Sequence, residues 1–344
     1  MARRPTAQSR RVQEALRKLE PGIRKAFMAA IQKAAGAVDE RALAAAIEAG
    51  DIQRAIEALR INQAILFPLD DAIRAGYIAG GSLVASDLPK GLAGRFGFDG
   101  RHIRAEAWMK QHGAEFIEGI VQETADMARK VVTDGLERGV SHKTVARQIT
   151  GRKVGNRRVG GFLGLNSDQT DSVIRARSIL SDPDQIRDYF VKDKITGRMK
   201  PRFKLSDRRY DAKIKKAIKE GRALTGKELD TVMEAHRNKA LGYRGKVIAK
   251  NEAHTALAAG RDEAYRQVMD DPEVETITKR WQHGLSKEPR PDHLRLDGTV
   301  IDFDEKFEMD DGTLMAHPHD PAGGAKHSIH CRCIVVHRVK MRRD

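Results

Sequence analysis

Cysteine is nearly absent from this chain: two of 344 residues, both inside the tetrapeptide His330-Cys331-Arg332-Cys333. Two cysteines one residue apart would close a strained ring if bonded to each other. A disulfide framework is therefore excluded, and a reducing compartment would keep both as thiols. They remain available as metal ligands or as small buried residues. Aromatic residues make up only 5%. With 32% charged residues and an alanine-rich front half, the composition favours long, thinly packed helices over a dense sheet core. Long apolar runs are missing too. No window approaches the ~18 apolar residues of a membrane span, and Met1-Ala2-Arg3-Arg4 leads into polar residues rather than the apolar stretch of a secretory signal. The expectation is a soluble protein that stays in the cytoplasm where it is made, with no membrane partner.

Negative charge is also scarce. Against 63 Lys+Arg stand 48 Asp+Glu, a formal charge of +15 and a pI of about 9.8. Such an excess draws a protein to polyanions through counterion release, so nucleic acid or an acidic protein surface is the expected neighbour. Any single basic cluster can equally be a solvated face.

Helical periodicity dominates what is present. From Ser9 to about Leu59, Val12, Leu16, Ile23, Phe27 and Ile31, then Leu43, Ile47, Ile52, Ile56 and Leu59 recur at helical intervals. Breaks near Pro21-Gly22 and Gly50-Asp51 divide the stretch into three short helices. Leu66 to Ala85 is helical again, interrupted at Gly80-Gly81, and the glycine-spotted Leu88 to Gly100 reads as a linker or hinge. His102 to Arg138 carries the strongest pattern and ends at Gly139, after which Ser141 caps a short helix from Lys143 to Ile149. Further helices are expected over Asp168 to Leu180 behind Asn166 or Ser167, Pro183 to about Phe190, Arg208 to Lys219, Lys227 to about Asn238 and Val247 to Val268.

Beyond Asp270-Asp271-Pro272 the texture turns to Val, Ile and Thr, and Glu275 to Trp281, Thr299 to Phe303 and Cys333 to Val339 read as short strands. The fold class that follows is mainly α with a small α+β C-terminal domain and an elongated helical N-terminal region. Domain boundaries are placed at 1–130 (helical N-terminal region), 131–270 (helical core with a basic glycine-rich loop) and 271–344 (small α+β module).

That basic loop holds Arg152, Lys153, Arg157 and Arg158 between Gly151 and Gly161. Backbone amides beside arginines suit a sugar-phosphate chain, and a solvated positive linker is the alternative. The stretch is not a phosphate loop, because no Gly-Lys-Ser/Thr opens the helix that follows.

The densest chemistry lies at the end. His293 stands four residues before Asp297, and Asp297-Gly298 turns into the Thr299 strand, so one loop can present both side chains. His327, His330, Cys331 and Cys333 cluster around a second loop. Brought together, His293 with Cys331 and Cys333, plus Asp297 or His330, furnish a tetrahedral N/S/O shell suited to zinc. The spacing is not that of a Cys-x-x-Cys finger, and the same residues can serve as core and turn residues. His317-Pro318-His319 is set aside as an ordinary pair of loop histidines, and Trp281 is expected to anchor the core. A metal-bound water beside His293 and Asp297 would suit a metal-dependent nuclease. Against that, there is no second acidic cluster, no His-Glu-x-x-His pair and no glycine-framed serine. No catalytic residue is assigned, and an assembly role outranks nuclease or other DNA processing.

Taken together, Ile248-Ala249-Lys250-Asn251-Glu252 on a helix, Trp281, Arg290-Pro291-Asp292-His293, Leu296-Asp297-Gly298, Phe307, Pro318 and His330-Cys331-Arg332-Cys333 resemble the phage Mu protein F-like head morphogenesis family, the minor capsid proteins of tailed phages. Gly160-Gly161-Phe162-Leu163-Gly164-Leu165 and the segment Arg237 to Glu252 look like the same family's upstream core, so the resemblance covers about residues 130 to 340. It implies a role in early head assembly beside the portal protein, with capsid or scaffold proteins and double-stranded DNA as partners and the virion head, assembled in the host cytoplasm, as location. It also implies His293, Asp297, Gly298, Cys331, Arg332 and Cys333 as signature positions. The chain departs from the family where the helix motif commonly reads Ile-Ala-Arg-Thr-Glu, where Asp often replaces Ser286 and where Asn often replaces His330. Some relatives carry a toxin domain after the cysteines. Here a basic strand and tail, Val335 to Arg343, follows Cys333 and no effector domain is expected.

Overall fold

In chain order the helices are α1 (Ala7–Ala37), α2 (Glu40–Glu48), α3 (Ile52–Ala58), α4 (Gln63–Leu83), α5 (Lys90–Ala93), α6 (Ile103–Glu137), α7 (His142–Thr150), α8 (Ser167–Ser181), α9 (Asp211–Lys219), α10 (Gly226–Met269), α11 (Pro291–Arg295) and α12 (Gly324–Ser328). The strands are β1 (Arg152–Val154), β2 (Arg157–Val159), β3 (Phe190–Lys192), β4 (Met199–Pro201), β5 (Val274–Gln282), β6 (Val300–Asp302), β7 (Phe307–Glu308), β8 (Leu314–Met315) and β9 (Ile334–Met341). The structure is a computed structural model that describes residues 6–284 and 288–342. Met1-Ala2-Arg3-Arg4, Ser286 and Arg343 lie outside the described residues. The fold is mainly α with a small α+β C-terminal region, and no helix among the described residues is long and apolar enough to cross a membrane.

The chain divides into two compact units, one of Met1–Phe27, Pro68–Glu115 and Lys246–Asp344, the other of Met28–Phe67 and Phe116–Gly245. Within the second, side-chain caps fix the helix starts. Asp39 accepts from the Arg41 and Ala42 amides ahead of α2, Ser141 accepts from Thr144 ahead of α7, and Asn166 with Gln169 forms a capping box on α8. Gly139, at φ 64, ends α6 with Val140 donating back to Gly135 O at 2.9 Å. Buried Arg244 donates to Gly164 O at 2.8 Å and pairs with Glu123, so its charge is met inside the unit.

In the first unit an antiparallel sheet of order β6-β5-β9 packs on helices. On β5, Ile277, Lys279 and Trp281 are all buried, the period-2 face that a half-covered strand requires. Ile277 joins Val84, Leu88, Tyr265, Val268 and Phe303 in one apolar cluster, and Trp281 joins Leu296, Phe307, Met315, Cys331 and Cys333 in another. The start of α1 is stitched to both neighbours: Gln8 donates to Tyr265 Oη at 2.8 Å, and the His337 amide of β9 donates to Gln8 Oε1 at 2.7 Å. An aromatic column of Tyr77, Trp108 and His112 stacks at 4.6 Å per step and ends on Glu252, which holds His112 Nε2 at 2.8 Å. Glu252, a residue of the helix motif, is thus bound to a packing role.

Several expected breaks are absent. α1 runs through Pro21, which is exposed, so the carbonyl bond it removes is open to water while Ile23, Phe27 and Ile31 continue the buried stripe. α4 runs through Gly80-Gly81 because both positions have to be small, Gly80 against α10 and Gly81 against Phe98. A Cβ on Gly80 would lie 2.3 Å from Leu257 O, and one on Gly260 would lie 1.9 Å from Tyr77 O. Lys227 to Asn238 and Val247 to Val268 are one helix, α10. Pro183 opens no α-helix; only a 3-10 turn, Ile186–Tyr189, follows. The glycine-rich basic loop is a hairpin, with β1 and β2 paired Arg152 to Val159 and Val154 to Arg157 around Gly155-Asn156.

Candidate metal centre

The site is built in the first unit from segments flanking the sheet. α11 begins with Pro291 at its first position, where the missing amide costs nothing, and this turn places Asp292 and His293 inward. The tetrapeptide His330 to Cys333 leads into β9, and its two thiols are 2% and 3% exposed. They do not share a strand face. The Cys333 amide donates to Cys331 Sγ at 3.3 Å, curling the chain so that both sulfurs meet His293.

His293 Nδ1 lies 3.5 Å from Cys331 Sγ and 3.6 Å from Cys333 Sγ. In a tetrahedral shell with zinc–nitrogen bonds of ~2.0–2.1 Å and zinc–sulfur bonds of ~2.3 Å, the nitrogen–sulfur edge is about 3.5 Å. The donor set and its spacing fit zinc. The other ring nitrogen, Nε2, lies 3.4 Å from His327 Nδ1, and His327 Nε2 lies 3.1 Å from Asp311 Oδ2. A ligating imidazole is oriented by such a chain: Nε2–H donates to His327, whose own N–H donates to Asp311, leaving Nδ1 with its lone pair towards the sulfurs. Asp292, His293 and His327 form a second group with metal-ligand spacing, Asp292 Oδ2 being 3.4 Å from His327 Nδ1. That set lacks sulfur and spends His327 on a carboxylate, so it serves the first as support.

The electrostatics favour a thiolate. Cys333 donates to Cys331 Sγ, and this contact draws Cys331 to its charged form in spite of burial. The same neighbour and the same burial push Cys333 up, so the pair shares one proton. The Gly284 amide donates to Cys333 Sγ and the Trp281 indole N–H faces the same sulfur. Position 284 has to be glycine for this approach, since a Cβ there would lie 2.0 Å from Arg332 O. Trp281 is fully buried and meets the His293 ring edge-on at 5.2 Å, the core anchor expected of it.

Of the five ligands expected, the structure brings together His293, Cys331 and Cys333, and leaves Asp297 and His330 outside that group. Asp297 Oδ1 accepts from the His283 amide at 2.9 Å: α11 ends at Arg295, and the turn after it spends the carboxylate on loop closure. His330 is exposed, at φ 62, and lines a cleft with Lys250, Arg290 and Arg332. Partial burial, then Lys250 and Arg290, push its pKa down. His319, set aside on sequence grounds, instead packs beside Cys331, 2% exposed, with His254 stacked on it at 4.5 Å.

The four basic residues of the β1–β2 hairpin divide. Arg152 makes a two-pronged pair with Glu234 at 2.6 and 2.8 Å. Arg158 pairs with Glu40 and donates to Gly151 O at 3.0 Å. Lys153 and Arg157 stand exposed. A second basic hairpin, β3–β4, holds exposed Lys192, Lys194 and Arg198 around Ile195, which is 95% exposed. Its turn is fixed by Asp193, which accepts from the Ile195 and Thr196 amides at 3.0 and 2.8 Å.

Residues 209–336, the span holding His293, Cys331 and Cys333, match the family described as Phage Mu protein F like protein. The chain is 23% identical to the uncharacterized protein YqbB of Bacillus subtilis (strain 168) over 256 residues, 73% of this chain and 68% of that one. It is 28% identical to the minor head protein GP7 of Bacillus phage SPP1 over 97 residues, 27% of this chain and 29% of that protein. No solved structure matches.

Proposed function

From the Phage Mu F-like domain that the chain carries across residues 209–336, we propose that it is a phage minor head protein acting in head morphogenesis at the portal and capsid, in a structural rather than a catalytic capacity. The observation that carries this reading is the family match, and the similarity of part of the chain to a minor head protein points the same way. The test is mass spectrometry of heads purified from a phage whose genome encodes this chain, alongside a deletion of its gene. The chain is expected in the heads at low copy, and its deletion is expected to yield defective particles. Its absence from heads, with normal particles after deletion, defeats the reading.

Within that domain His293, Cys331 and Cys333 hold a zinc ion. When bound, zinc supplies a cross-link between chain segments far apart in sequence and fixes both sulfurs as thiolates. The residues around it orient and shield: His327 and Asp311 hold His293 in the right tautomer, Trp281 covers it, and Gly284 and Trp281 point N–H groups at Cys333. Contact with packaged double-stranded DNA runs through the exposed cations of the two hairpins, Lys153 and Arg157 on β1–β2 and Lys192, Lys194 and Arg198 on β3–β4. Arg152 and Arg158, already neutralised by Glu234 and Glu40, hold the first hairpin in place.

A further inference from the structure

We propose that His319 is the fourth ligand, closing the centre into a Cys2His2 shell that ties together α11, the loop His317 to Asp320 and the tetrapeptide ahead of β9. The proposal rests on the reading that His293 and the two thiols hold a metal, and adds which group completes the shell in place of Asp297 or His330.

The loop bears the marks of a chain forced to present this one side chain. The Asp320 amide donates to His317 O at 3.1 Å, with Pro318 and His319 between them and His319 at φ 66. Proline second and a positive φ third is the pattern of a type II turn, whose third position is ordinarily glycine or asparagine because a Cβ is strained there. A histidine in that position needs a reason. Asp320 locks the loop from both sides, accepting from the Ala316 amide at 2.7 Å and the Ala322 amide at 2.9 Å, so the turn is held independently of the His319 ring.

The ring itself is buried and idle. Both nitrogens of His319 are shut off from water without a hydrogen-bond partner, a state that is costly for a buried polar group and rare in native proteins. The ring stacks on His254, also buried, which burial and then the proximity of His319 keep neutral. His319 lies beside Cys331, just outside the ligand spacing that His293 and the two thiols share, so closing the shell takes a shift of its ring towards the sulfurs. Two imidazoles and two sulfurs are the donors of a structural zinc site with every position filled by protein. Such a closed shell leaves no coordination position for a water nucleophile, which is why the centre fits a structural clip.

Titration of the metal-free, reduced full-length protein with Co(II) tests this. Wild type is expected to bind one equivalent, with the intense ligand-field absorption of a tetrahedral ion and thiolate-to-cobalt charge transfer. His319→Asn keeps a residue that tolerates positive φ. It is expected to weaken Co(II) binding at least tenfold and to change the ligand-field bands, while the charge transfer from the two thiolates persists. His319→Cys is expected to restore tetrahedral intensity with added charge transfer, and it carries the test if the asparagine variant fails to fold. Asp297→Asn and His330→Asn are expected to leave the spectrum unchanged. A wild-type spectrum and affinity in His319→Asn, or their loss in Asp297→Asn or His330→Asn, overturns the assignment of His319. Wild type that binds no Co(II) overturns the metal reading itself, an outcome distinct from a silent His319 substitution.

Discussion

A buried histidine without a partner is costly, and His236 in the second unit shows the cost apart from any metal. It is 1% exposed beside Phe203, with neither ring nitrogen hydrogen-bonded. Burial, followed by the charges of Arg237 and Lys239, lowers its pKa to about 4. The unfolded chain takes up the proton near pH 6.5 and the folded one does not. Stability is therefore unaffected by this group above pH 6.5 and falls as pH drops towards 4, by up to ~3 kcal/mol. His236→Leu, which keeps the volume and removes two unsatisfied polar atoms, is expected to match or exceed wild type at neutral pH and to lose less on acidification. Urea unfolding of both proteins at pH 7.5 and pH 5 checks it, and an equal loss in the two sinks the argument. At the same scale, Trp281→Ala removes a fully buried indole from between His293 and Phe307. A destabilisation of about 3–5 kcal/mol is expected from denaturant unfolding, and a loss under about 1 kcal/mol would show that the cluster closes without it.

Among the elements, the crossing of α4 and α10 depends most on residue size. Gly80 and Gly260 bring backbone against backbone, and a Cβ at either would meet a carbonyl oxygen that no rotamer change can move. Gly260→Ala is expected to cost at least 2 kcal/mol. Gly22 in α1 has nothing within 4 Å of its would-be Cβ, so Gly22→Ala should instead stabilise by about 0.5–1 kcal/mol through helix propensity. Thermal melts of the two variants with opposite signs confirm the contrast; equal signs refute it. This crossing also explains what sequence periodicity could and could not reveal. Ser141, Asn166 and Gly139 act on amides and carbonyls a few residues away, so helix ends at those positions were legible. Gly80-Gly81 and Pro21 look like the same punctuation, but their meaning depends on Leu257, on Phe98 and on solvent exposure, none of which is local. The site divides likewise. His293, Cys331 and Cys333 were expected together from residue type, and the fold brings them within ligand spacing. Asp297 was expected from its spacing to His293, which ignores the end of α11 and the His283 amide it accepts from. His319 was set aside because a histidine in a turn looks like surface until its neighbours across space are known.

For the molecule as a whole, a net charge of +15 sets how strongly it meets a polyanion, but only cations without an internal carboxylate can release counterions from DNA. Arg152 and Arg158 already face Glu234 and Glu40, so substituting them should chiefly loosen the hairpin. Lys153 and Arg157 are exposed on that hairpin and pair with neither Glu234 nor Glu40, and Lys192, Lys194 and Arg198 are exposed around Ile195. Each such contact contributes about 0.9 to the slope of log affinity against log salt on duplex DNA. Lys153→Gln/Arg157→Gln is therefore expected to lower that slope by about 2 and to weaken binding at low salt, equally for unrelated sequences because phosphates carry no base information. Fluorescence anisotropy with two unrelated duplexes across a salt series gives both quantities. A slope unchanged in the double variant and in Lys192→Gln/Lys194→Gln/Arg198→Gln would exclude both hairpins from DNA contact, leaving the positive charge to an acidic protein partner.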